Sequence, residues 1–166
     1  GEKMRLAYMD IPASGRANGQ TVFWQHGHNF YSEAYTPTFK ALSDAGFRVV
    51  AVDRIGYGKS SKPVIPYNVN FVAANMKALL DELGIEAAAI VGHSMGGMIA
   101  QEFVIQHPGR TSALVLSATS PSFGKPGGKW QEWFLGKRLA PLEKGPSPAD
   151  FAKELVPAMT SDNPPE

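Results

Sequence analysis

The chain contains no cysteine, which removes disulfides, thiolate metal centres and cysteine nucleophiles from consideration. Net charge is almost absent: 16 Lys and Arg against 15 Asp and Glu leave a formal +1, so no strong field exists to draw nucleic acid or an anionic lipid surface. No apolar run approaches the roughly 20 residues that a bilayer-spanning helix needs. The segment from Gly1 to Arg5 lacks the pattern of a secretory signal, and both the cytoplasm and, after signal removal, the periplasm stay open. What is present is a chain of 166 residues, 43% hydrophobic and 19% charged, the composition of a globular protein with one core. Small, uncharged partners are expected, with no nucleic acid and no membrane.

Five short apolar runs read as strands: Arg5 to Met9, Thr21 to Gln25, Phe47 to Val52, Ala87 to Val91 and Ala113 to Ser117. Each is bounded by Gly, Pro or polar residues. Helical periodicity fills Ser32 to Ala45, Val69 to Leu83 and Met95 to Gln106, with Gly46, Gly84 and Pro108 as stop signals. Strands alternating with helices predict an α/β fold, a mostly parallel sheet with helices on both faces. The fully apolar Ala87 to Val91 suits a strand covered on both sides.

Residues 1–117 are expected to form this α/β core and residues 118–166 a linker with further helices. There, the Gly/Pro-rich stretch Pro121 to Gly128 leads into a helical pattern carrying Trp130, Trp133, Phe134 and Leu139. A second pattern runs from Pro148 to Val156, and Thr160 to Glu166 reads as a polar, frayed tail. Trp130, Trp133 and Phe134 recur at helical spacing, which reads as a face made for burial rather than a pocket lining.

The strongest chemical signal is Gly92-His93-Ser94-Met95-Gly96, directly after a buried strand and directly before a helix. A turn of this kind strains the serine backbone and lifts its hydroxyl clear of the sheet, while small residues at 92 and 96 let strand and helix pass closely. Ser94 is therefore the candidate nucleophile. The helix N-terminus adds partial positive charge beside it. His26-Gly27-His28-Asn29 follows the strand Thr21 to Gln25, where a backbone N–H at His28, with that of Met95, would hold a tetrahedral oxyanion. As a His-x-His metal pair, His26 and His28 lack a third ligand at recognisable spacing, and no metal site is expected. His26 reads as a structural, hydrogen-bonded histidine. Asp53-Arg54-Ile55-Gly56-Tyr57-Gly58-Lys59-Ser60 looks like a phosphate loop but lacks the Walker spacing, since Asp53 stands where a glycine is required. Its glycines are expected to shape a tight turn beside the nucleophile.

These motifs, with Ala113-Leu114-Val115-Leu116, jointly resemble the α/β-hydrolase superfamily, in particular its cap-bearing esterase and enol-lactonase branch. The resemblance covers about Arg5 to Ser117, and Ser120 to Val156 is similar to the beginning of a helical cap. It implies an acyl-enzyme on Ser94, formed from a carboxylic ester or lactone, with no metal or organic cofactor. It also implies a triad acid and histidine that follow the cap in the chain order Ser, Asp or Glu, His; neither is expected among these residues, so the C-terminal strands are taken as missing. Self-association or a complementing C-terminal half is expected accordingly. A serine in the turn argues against the Asp-dependent dehalogenases and epoxide hydrolases of the same fold. Perhydrolysis, C–C hydrolysis and cyanohydrin cleavage remain open, as does a noncatalytic truncated or split fragment. Gln25 departs from the pattern, because an apolar residue normally ends that central strand.

Overall fold

The computed structural model describes residues 4–143 together with Gly145, Asp150 and Lys153. The helical pattern from Pro148 to Val156 and the tail Thr160 to Glu166 lie, apart from Asp150 and Lys153, outside the described residues. The chain divides into two units, Gly1–Pro121 and Ser122–Glu166.

The first unit is a five-stranded sheet in the order β1-β3-β2-β4-β5. Its strands are β1 (Ala7–Ile11), β2 (Thr21–Gln25), β3 (Arg48–Asp53), β4 (Ala88–His93) and β5 (Thr111–Ser117). All neighbours run parallel except β1, which pairs antiparallel with β3. Its helices are α1 (Thr36–Asp44), α2 (Val69–Glu82) and α3 (Met95–Gln106). The strand pleat sends alternate residues to opposite faces, and this sorts two cores. Phe23, Val50, Val52 and Ile90 pack with Val72, Met76 and Leu80 of α2 and with Ile99 and Phe103 of α3. Val22, Trp24, Val49 and Ala51 pack with Phe39 of α1 on the other side. The expected α/β architecture, with helices on both faces of a mostly parallel sheet, is thus the observed one.

Local signals set the boundaries. Asn68 caps α2, its side chain accepting from the Phe71 N–H at 2.8 Å. The helix expected from Ser32 is divided: Ser32–Tyr35 form a 3₁₀ turn, and α1 begins at Thr36 with a proline in its first turn, where the missing N–H costs nothing. Among the described residues β5 is the outermost strand, with no strand on its outer side, and its Leu114, Val115 and Leu116 are 39%, 50% and 43% exposed.

In the second unit, α4 (Lys129–Glu143) is the one long described helix. Phe123, Trp130 and Phe134 form an aromatic cluster with centroids 4.8–5.4 Å apart. The expectation of a buried aromatic face is corrected here: Trp130 and Trp133 are 52% and 59% exposed. One helix and the loop before it can bring Phe123, Trp130 and Phe134 together but cannot enclose them.

Candidate active site

Four segments meet at the C-terminal ends of the parallel strands, where ligands bind in open α/β sheets. The first is the turn from β4 into α3. Ser94 has φ 53° and ψ −122°, a conformation that L-residues rarely adopt and that costs on the order of 1–3 kcal/mol. It is held by its neighbours. The Ser94 N–H donates to the Ser117 carbonyl at 2.9 Å, and the Thr119 hydroxyl donates to the Ser94 carbonyl at 2.6 Å. The crossing is tight enough that a Cβ on Gly92 would stand 2.5 Å from Gly97 Cα, and one on Gly96 would stand 2.6 Å from the His26 carbonyl oxygen. Ser94 itself is half-buried, and α3 starts at Met95 with its first N–H groups lacking helical partners.

The second segment is the loop after β2. Gly27 lies against the turn, since a Cβ there would be 3.4 Å from Ser94 Cβ and 3.0 Å from His93 Nδ1. The Gly27 N–H donates to the Tyr35 hydroxyl at 3.1 Å, and that hydroxyl bonds His93 Nδ1 at 2.9 Å. His93 is therefore turned toward Tyr35 and Phe30. Sequence alone did not reveal this link between loop and turn.

His26 is fully buried, its Nδ1–H donating to the Gly27 carbonyl at 2.8 Å and its Nε2 accepting from the Arg54 N–H at 3.2 Å. Those partners fix a neutral tautomer with both nitrogens engaged, so His26 is no ready ligand for a metal pair with His28. Burial, aided by the nearby Arg54 charge, lowers its pKa to about 4. Between about 4 and 6.5 the unfolded chain binds the proton and the folded chain does not, so stability falls as pH drops through that window. The full amplitude is about 3 kcal/mol, at about 1.4 kcal/mol per pKa unit. Urea midpoints between pH 7.5 and 4.5 should fall, and His26→Gln, though less stable, should show a shallower fall. A flat wild-type profile would contradict the assignment.

The third segment is the loop after β3, where glycines do shape a turn but charged side chains brace it. Asp53 Oδ1 accepts from the Ser32 N–H at 2.7 Å and Oδ2 from the Lys59 N–H at 2.9 Å. Burial acts to raise this carboxyl, and the backbone donors of Lys59 and Ser32 outweigh it, leaving the pKa below the ordinary value. Arg54 is 2% exposed. Its guanidinium donates to the His26 carbonyl and, at 3.2 Å, to the Gly27 carbonyl, and lies 4.6 Å from the Tyr57 ring centroid. Burial lowers its pKa. The signal for both roles was the charged pair Asp53-Arg54 at a strand end, where a buried charge demands partners.

The fourth segment is the start of α2. With the other three it encloses a cleft of about 420 Å³, lined by His28, Tyr57, Tyr67, Val72, Met95 and Ile99 among others. His28 and Met95, the two candidate backbone donors, thus border one cavity. The His28 side chain bonds the Tyr57 hydroxyl at 2.7 Å. The remaining histidine, His107, caps the far end of α3.

A family model for the alpha/beta hydrolase fold matches residues 20–165. The chain belongs to the α/β-hydrolase family. Among solved α/β-hydrolase structures, a probable hydrolytic enzyme from Pseudomonas aeruginosa PAO1 is similar at 42% identity and a TM-score of 0.69, over 72% of this chain and 38% of that one. An esterase from Exiguobacterium antarcticum is similar at 28% identity and a TM-score of 0.68, over 75% of this chain and 46% of that one. The AB hydrolase superfamily protein YisY of Bacillus subtilis is 33% identical over 110 residues, 65% of this chain and 41% of that protein. This α/β-hydrolase chain therefore spans less than half the length of these relatives.

Proposed function

We propose that this hydrolase chain carries the nucleophilic half of a serine hydrolase that cleaves a carboxylic ester or lactone through an acyl-enzyme on Ser94. The observation that carries the reading is the strained backbone of Ser94 at the junction of β4 and α3, a cost that a structural serine has no reason to bear. The Ser94 hydroxyl attacks the carbonyl carbon, and the N–H groups of Met95 and His28 receive the oxygen as it becomes negative. The cleft that both border is largely apolar and sized for a small acyl or leaving group. Likeness to a solved esterase agrees with this substrate class.

The four histidines of the chain offer Ser94 no evident base. His26 is engaged on both sides, His93 and His28 bond tyrosines, and His107 is at the wrong end of α3. The base and the triad acid are assigned to residues outside this sequence, in a complementing segment that pairs along the open edge of β5 or in a second chain. An unpaired apolar edge favours such pairing. Fluorophosphonate labelling, mapped by mass spectrometry, should mark Ser94 strongly once a complementing C-terminal half is added, and hydrogen exchange should slow over Ala113 to Ser117 in the same samples. Labelling at another serine would refute the nucleophile, whereas Ser94 labelling with free exchange in β5 would refute the pairing alone.

A further inference from the structure

Gln25 ends a central strand and has no accessible surface, yet neither its amide oxygen nor its amide nitrogen has a hydrogen-bond partner among the described residues. Asn75 on α2 presents a matching group, its Nδ2 buried and unpaired. Both side chains line one small cavity of about 10 Å³, together with Arg54 and apolar groups that include Val52, Val72 and Met76. Buried amides left unpaired are strongly disfavoured. Two that face one cavity point to a shared partner.

The size of the space selects it. A cavity of roughly 10–15 Å³ accommodates one water, provided that two or more polar groups hold it. We propose that this cavity is a specific site for a single internal water, which bridges the carboxamides of Gln25 and Asn75. The site has a position that matters. Gln25 lies opposite Val52 and Gly92 in the sheet register, one residue before the loop that carries His26 and His28. Arg54, Ile55 and Val72 line both this cavity and the cleft above it. The bridged amides thus tie the end of β2 to the helix that walls the cleft, as positioning residues with no part in any chemical step. This assignment is independent of the role of Ser94.

A high-resolution crystal structure of the full chain reads the site directly. Expected is one spherical density peak within about 3.2 Å of both amides. In parallel, Gln25→Met and Asn75→Leu, each close to isosteric, should each lower Tm by roughly 3 °C or more, because each strands the other amide. The double variant should lose clearly less than the sum, since an all-apolar cavity leaves nothing unpaired. Direct contact between the two amides, a cavity without density, or strictly additive losses would overturn the proposal. The wild-type crystal structure decides even where a variant fails to fold.

Discussion

Ser94→Gly should raise thermal stability while it abolishes covalent chemistry, and Ser94→Ala should abolish chemistry with no gain in stability. The difference comes from the backbone. At φ 53° and ψ −122° the strain of a residue with a Cβ is on the order of 1–3 kcal/mol. Glycine removes that strain, at an entropic cost of about 0.5–1 kcal/mol. A net gain near 1 kcal/mol remains, about 2–4 °C in Tm for a chain of this size. Alanine keeps the Cβ and the strain, and the Ser94 hydroxyl makes no capping bond to lose, so its Tm should stay within the small range of a neutral substitution. Both variants should reduce turnover of an activated ester by about 10⁴-fold or more in the complemented enzyme, because the attacking atom is gone. Differential scanning fluorimetry and the fluorophosphonate assay read the two effects separately. A Ser94→Gly protein that is less stable than wild type would show that the turn stores no strain at this residue. Retained labelling of either variant would remove Ser94 from the chemistry.

How far the sequence carried the fold depended on the kind of signal. Thr21 to Gln25 and Met95 to Gln106 were legible to the residue, because a buried run bounded by polar residues and a helix between a glycine turn and a proline leave no latitude. β1 was displaced, starting at Ala7 rather than Arg5. It is the antiparallel edge strand, half-exposed along its length, so its hydrophobic pattern is weak and its register is fixed by β3 instead. The Gly92 to Gly96 motif put the candidate nucleophile in view, since the steric demands of that turn write themselves into small residues. The bracing around it was not legible. Arg54 gripping two loop carbonyls, Asp53 clasping Ser32 and Lys59, and Tyr35 joining Gly27 to His93 are contacts between segments far apart in sequence. No period or motif encodes them. The chain announces only that charges and hydroxyls stand where they need partners.

Those braces converge on one distance, the separation between α3 and the end of β2, and the glycines of the turn set its lower limit. Substitution at Gly96 should therefore be, with that at Gly92, among the most damaging methyl additions in the turn. A Cβ at Gly96 would stand 2.6 Å from the His26 carbonyl oxygen and closer still to that of Gln25, backbone atoms at the end of β2 and the start of the loop after it, which cannot swing aside as a side chain can. Gly96→Ala should cost more than about 3 kcal/mol, above the usual range for overpacking, and Gly96→Val should fail to fold. For Gly97→Ala the nearest atoms met belong to the Thr119 side chain, at 2.5–2.6 Å. Because the Thr119 Cβ is itself one of the atoms met and does not move with the rotamer, relief needs a small shift of the segment at Thr119, which also gives up the hydrogen bond from Thr119 to the Ser94 carbonyl, a loss of about 1 kcal/mol or more. Gly109→Ala, with nothing within 4 Å of the new methyl, should be neutral. Chemistry should follow the same order, because forcing α3 off β2 separates the Met95 N–H from the His28 N–H that is proposed to share the oxyanion with it. Thermal unfolding of the three variants, with the rate of Ser94 labelling in each, gives the ranking. If Gly96→Ala matched Gly109→Ala in both, strand and helix would not meet at this turn, and the geometry that lifts Ser94 out of the sheet would have to be abandoned.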